Sequence, residues 1–201
     1  MEKIDICNAA LIEAHQDATI TNIDEASPEA ERCRRIYDST RRELLSMYPW
    51  TFSNRFAKLA RVKEDVNGYK YAYLYPADAL RINGIFVSEK AYKARNYISF
   101  DFAEAVIADV DGKKCILCDY ESPFVCENID ITKEEFFPEN FCRLLYLYMA
   151  LKITKMAGVG DDVRREIRAE ISEQASITAT VSNKEELQQK DEKNYYVDVR
   201  G

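Results

Sequence analysis

The sequence predicts an α+β protein: a bundle of about four helices, interrupted by an inserted antiparallel β-sheet or meander and followed by an extended C-terminal tail. Three observations carry this. Apolar residues recur every three or four positions near both ends, the middle from Phe52 to Ile131 alternates with period two, and the final "SNKEELQQKDEKN" is charged without either period. The chain divides into N-terminal helices over 1–50, a β insertion over 51–133, helices completing the bundle over 134–182 and a tail over 183–201. With 201 residues, 47% hydrophobic and 31% charged, it can bury a core without staples.

The opening "KIDICNAALIEAH" spaces Ile4, Ile6 or Cys7, Ala10, Leu11 and Ala14 as one helical face, and "QDATITNID" reads as a loop. The second helix is announced by Ser27, whose hydroxyl can accept from a free backbone N–H, and by Pro28 at the first helical position. Glu29 and Glu31 complement the positive end of its dipole. Cys33, Ile36, Tyr37, Thr40, Leu44, Met47 and Tyr48 form its stripe, Arg32, Arg34, Arg35, Arg41 and Arg42 mostly lie off it, and Pro49 stops it.

The β region then begins. "YKYAYLY" sets Tyr69, Tyr71, Tyr73 and Tyr75 on one face, while "RINGIFVSE" and "YISFDF" are strand-like too. "AVIADVDGKKCILCD" is the clearest hairpin, turning at Asp111-Gly112. Helix resumes at Pro138 and is apolar on nearly every side through Phe141, Leu144, Leu145, Leu147, Tyr148, Met149, Leu151 and Ile153, which marks a central helix. Gly158 or Gly160 ends it. Asp161 or Asp162 opens a last helix that turns Val163, Ile167, Ile171 and Ala175 inward.

A net charge of -7 argues against a simple DNA-binding module. Glu2, Lys3, Asp5, Glu13 and His15 break any secretory signal, and no apolar run spans a membrane. The six cysteines read as free thiols of a soluble protein made in a reducing cytoplasm. Cys115, Cys118 and Cys126 lack a fourth metal ligand, and Cys115 and Cys118 point to opposite faces of a strand. His15 has no partner, no catalytic or phosphate-binding motif is present, and acid pairs such as Asp161-Asp162 and Glu134-Glu135 suit helix starts. The expectation is therefore no enzyme, no metal and no cofactor. The arginines leave readings open: a phosphate site, a solvated face paired with Glu29, Asp38 and Glu43, or a subunit contact through Arg34, Arg35, Arg41 and Arg42. The tyrosine row suits structure or protein contact better than base stacking, which net acidity opposes.

"EASPEAERCRRIYDSTRRELLSMYPWTFSNRFAKLA" followed by "GYKYAYLYPADALRI" resembles the tail tubular protein A family, the head-to-tail adaptors of short-tailed bacteriophages. The matching elements are Cys33-Arg34, Tyr37-Asp38, Arg42-Glu43-Leu44-Leu45, Pro49-Trp50, Tyr71 to Asp78 and Gly112 to Asp119, collinear over about residues 20–180. "ITKEEFFPENF" departs from the family's Asp-Pro turn, and the tail after Ser182 matches nothing in it. The resemblance implies a virion structural protein whose copies form a ring, about twelvefold, beneath the portal protein. That ring would extend the channel for viral DNA, without sequence-specific binding or any membrane, and would anchor a downstream tail or nozzle protein. It implies assembly in the host cytoplasm and a place at the virion neck. The C-terminal segment would then clasp the portal or a neighbouring subunit through Leu187, Tyr195, Tyr196, Val197 and Val199, since a charged segment that cannot fold alone can order on a partner. The hairpin tip, Asp111 and Gly112, is the expected tail contact. From another functional class comes the alternative of a cytosolic protein-binding module without catalytic activity.

Overall fold

The computed structural model describes residues 1–17, 19–87 and 104–178. It falls into two compact units, Met1–Phe52 with Ile131–Gly201, and Ser53–Asp130. The fold is α+β, with four helices and two antiparallel sheets among the described residues.

The helical unit holds α1 (Lys3–Glu13), α2 (Pro28–Met47), α3 (Glu139–Ala157) and α4 (residues 161–178). α3 is central. It packs on both α1 and α2, and Phe141, Leu144, Leu145, Leu147, Met149 and Ile153 are wholly buried. Its N-cap is Pro138, and Gly158 ends it in the left-handed region at φ 70°, with a backbone N–H returning to the Thr154 carbonyl. α2 starts where the chemistry placed it. The Ser27 hydroxyl accepts from the Ala30 N–H, and Tyr48 leaves helical geometry with ψ 151°. Its buried stripe differs at one end: Leu45 is enclosed, whereas Met47 is exposed. In α4, Ile167 and Ile171 are buried as expected, and Gln174 and Thr178 continue that face in place of Ala175.

Past α2, Trp50 folds back. Its indole N–H donates to the Leu44 carbonyl at 2.8 Å, satisfying one of the carbonyls a helix end leaves open. Its ring meets Phe141 edge-on at 5.0 Å, and Phe52 and Phe137 complete the cluster around Phe141 at 5.0 and 4.9 Å. Before α2, Asn8 grips the loop from α1, accepting from the Ile20 N–H at 2.8 Å and donating to the Ile20 carbonyl at 2.9 Å.

The β unit holds β1 (Asn54–Lys58), β2 (Arg61–Val66), β3 (Tyr69–Leu74), β4 (Ala79–Phe86), β5 (Ala105–Val110), β6 (Lys113–Cys118) and β7 (Phe124–Ile129). Every pairing is antiparallel, but the order is not that of a simple meander. One sheet runs β1-β7-β4 and the other β2-β3-β6-β5. Leu59, Tyr73, Ile116, Cys118 and Val125 form a core drawn from both sheets, with Tyr71, Tyr75, Ile82 and Ile85 against it. A single sheet would leave one side of those tyrosines in water, and the second sheet covers it. On the other face of the four-stranded sheet lie Ala72, Val110, Cys115 and Leu117. The hairpin turn at Asp111-Gly112 carries φ 53° and 75°, as a type I′ turn requires, and Asn67-Gly68 makes an equivalent turn between β2 and β3 at 52° and 86°. The strand expected at "YISFDF" lies outside the described residues.

Candidate functional site

The arginines of α2 do not act as one patch. Arg34 bends back to the preceding loop, donating to the carbonyls of Ile23 at 2.7 Å and Glu25 at 3.1 Å. Arg41 departs from the expectation of a surface contact. It follows Tyr37 by one turn, so it lies on the stripe, and its side chain is only 6% exposed while it pairs with Asp38 at 2.8 Å. Arg35 pairs with Glu31 one turn earlier and both are well exposed. Arg42 is exposed too. Arg35, Arg32, Glu31, Pro28 and Met156 line an open groove of about 410 Å³. The outward arginine set is therefore Arg35 and Arg42, with Arg34 engaged in holding the loop.

Asp111 and Gly112 sit at an exposed hairpin tip, as read from the sequence. The Asp111 carboxylate also accepts from Lys63 Nζ at 2.9 Å, across the width of the sheet from β2. Both partners are more than half exposed, so this pair steadies the tip weakly. Leu187, Tyr195, Tyr196, Val197 and Val199 lie outside the described residues.

The tyrosine row divides: Tyr71 and Tyr75 are half-buried beside Tyr73, whereas Tyr69, expected on the same face, packs on the opposite face of the sheet with Val66 and Ala72. Tyr73 is buried, donates its hydroxyl to the Tyr120 carbonyl at 2.6 Å, and is pushed up to about 12, chiefly by that burial. Arg61 covers the Tyr71 ring at 5.3 Å and Lys114 the Tyr75 ring at 3.6 Å. Each of these two half-buried rings has a cation over one face. Cys115 and Cys118 do fall on opposite faces of β6. All six cysteines are free and buried, and burial raises the thiols of Cys115, Cys118 and Cys142, which makes them poor nucleophiles. His15 is exposed and ends α1 at φ 54°, its backbone N–H donating to the Ile12 carbonyl. Among the described residues, no three His, Cys, Asp or Glu side chains are grouped to hold a metal ion, and no helix is long and apolar enough to cross a membrane.

Two polar contacts had no counterpart in the sequence reading. Glu127 on β7 is fully buried and is held by Arg55 of β1, with guanidinium nitrogens at 2.6 and 2.7 Å. That hydrogen bond holds the Arg55 guanidinium above its ordinary value, while Glu127 Oε2 has no hydrogen-bond partner among the described residues. The Tyr37 hydroxyl donates to Glu134 at 2.8 Å, and burial with this bond raises the phenol. The residues stand 72 and 97 positions apart, so no local spacing could reveal them. The Asn67-Gly68 turn was missed as well, although an Asn-Gly pair just before a strand-like run is a local signal for it.

No protein-family model matches the chain, and no curated protein matches it.

Proposed function

We propose that this chain is a virion structural protein, a head-to-tail adaptor whose copies form a ring below the portal, extend the channel for viral DNA and anchor the tail. One observation carries the reading: the order of elements agrees with the motif order behind the resemblance. The Ser-Pro start and the Cys33 to Leu45 motif fall on α2, Pro49-Trp50 closes that helix into the aromatic cluster, and the motifs Tyr71 to Asp78 and Gly112 to Asp119 cover the end of β3 with its following loop and the whole of β6, in a β unit inserted between helices. The burial of polar and aromatic candidates supports an assembly role over a catalytic one. Tyr73, Arg41 and the cysteines serve the interior, whereas the features left at the surface are an arginine-bearing helix face and a hairpin tip.

In this reading Arg35 and Arg42 meet the neighbouring subunit, Asp111-Gly112 meets the downstream tail or nozzle protein, and the segment with Leu187, Tyr195, Tyr196, Val197 and Val199 meets the portal or a neighbouring copy. Net acidity keeps passing DNA from sticking to the channel wall. The test is size-exclusion chromatography with light scattering of the purified chain, alone and mixed with portal protein. A complex of ring mass with the portal is the expected result. A chain that never joins the portal would favour the cytosolic binding module.

A further inference from the structure

We infer that Cys7 and Cys33 are a dithiol–disulfide couple: a small-molecule disulfide oxidises them to an internal bond that ties α1 to α2. The couple is a property of the single chain and stands whether or not the chain is an adaptor.

Helix register brings the two thiols together. Lys3, at the start of α1, sets its ammonium over the Tyr37 ring of α2 at 4.3 Å. Past the other end of α1, the Gln16 side chain accepts from Arg32 at 3.2 Å. Positions rise along α1 as they fall along α2, so the two helices meet antiparallel. Residues four apart share a helix face. Cys7 therefore lies one turn beyond Lys3, and Cys33 one turn before Tyr37, on the sides that face each other. Both side chains are wholly buried, and a side-chain hydrogen bond joins them. Cys142, the third cysteine of the helical unit, is directed instead at the Phe137 carbonyl, 4.0 Å away.

The pair does not share its proton equally. The hydrogen bond to Cys33, followed by burial, raises the Cys7 thiol. The same bond holds Cys33 below the ordinary thiol range, with help from Arg32 and against burial and Glu29. Cys7 keeps the proton and Cys33 is the nucleophile, unlike Cys115, Cys118 and Cys142, which burial raises. The Cys33 thiolate attacks one sulfur of the reagent. The reagent's S–S bond breaks, a mixed disulfide forms on Cys33, and the departing thiolate takes the Cys7 proton. Cys7 then attacks the Cys33 sulfur and expels the second reagent thiolate, which takes a proton from water. Two electrons pass from the thiol pair to the reagent, with one disulfide consumed and one formed. Access requires only local opening of α1, which packs chiefly on α3 and lightly on α2. The new bond adds a covalent tie at that light contact and closes a loop of roughly 25 residues.

The test uses the full chain, purified reduced. It is incubated with excess oxidised glutathione just below its melting temperature, alkylated, digested without reductant and mapped by mass spectrometry. The expected product has lost two of its six thiols and carries the Cys7 peptide linked to the Cys33 peptide. Its melt should rise by roughly 6–12 °C and return when dithiothreitol is added. Cys7→Ser should stop the reaction at glutathione bound to Cys33, whereas Cys33→Ser should take up far less at Cys7. If either variant fails to fold, the map and melt of the unsubstituted chain decide. The inference is overturned if Cys7 and Cys33 both stay alkylatable after prolonged exposure, if either links to another cysteine instead, or if the linked chain melts no higher than the reduced one. It is equally overturned if Cys33→Ser traps as much glutathione as Cys7→Ser.

Discussion

Leu145 is wholly buried at the centre of the helical unit, and its value there can be measured directly. Leu145→Ala leaves a cavity among the helices around α3 and should cost about 2–5 kcal/mol in a denaturant titration. A loss typical of surface sites would contradict the central place of α3. Glu25 offers a pH test. The Ser27 hydroxyl and the Thr21 N–H hold its carboxyl below the usual carboxylate range. A lowered folded value stabilises the native state above the ordinary carboxylate pKa, and that contribution is lost as pH falls through the folded value. Glu25→Gln should therefore narrow the stability gap between neutral and acidic pH, and melts at the two pH values would show it. Breaking the Arg55–Glu127 pair should matter more. Arg55→Ala strands a fully buried carboxylate, and a loss of roughly 2–3 kcal/mol is expected, below the value for a fully buried pair because the guanidinium is partly solvated. These residues also mark what a sequence discloses. Ser27, Pro28 and Leu145 act through local periodicity and capping, so their roles are legible in it. The Arg55–Glu127 pair joins strands far apart in the chain, and only the folded sheet brings it together.

The elements follow the same division. α2, α3 and the β5–β6 hairpin announce themselves, because a proline, a stripe and an Asp-Gly turn act within a few residues. Their assembly does not. β7 lies between β1 and β4, and β3 beside β6, through pairings that no alternation pattern dictates. That arrangement also explains the tyrosine row, whose period reveals a strand but not the second sheet that covers it. The hairpin tip belongs at this scale. Gly112 holds φ 75° with open space where a Cβ would be, so Gly112→Val should cost about 1–2 kcal/mol through backbone strain alone. Chemical denaturation checks that figure. Deleting the tip should spare portal binding and weaken tail attachment, and heads that still gain tails at full yield would refute the assignment of Asp111 and Gly112.

For the whole molecule, the sharpest question is whether the C-terminal segment serves the fold or the assembly. Among the described residues, α3 and the layer between the two sheets carry wholly buried side chains of their units. The remaining sequence has few apolar anchors after Leu187, namely Tyr195, Tyr196, Val197 and Val199, set among alternating charges. Such a segment gains little by packing on its own domain and more by ordering on a partner. Aromatic anchors at interfaces cost about 2 kcal/mol or more when truncated. A ring multiplies even a modest loss per copy, because each contact raises the effective concentration of the next. Truncation after Gln189 should therefore leave the thermal melt nearly unchanged while abolishing stable attachment to portal-bearing heads. A pull-down with portal, run beside the melt, separates the outcomes. Full attachment by the truncated chain would remove the segment from the assembly, and a collapsed melt would return it to the core.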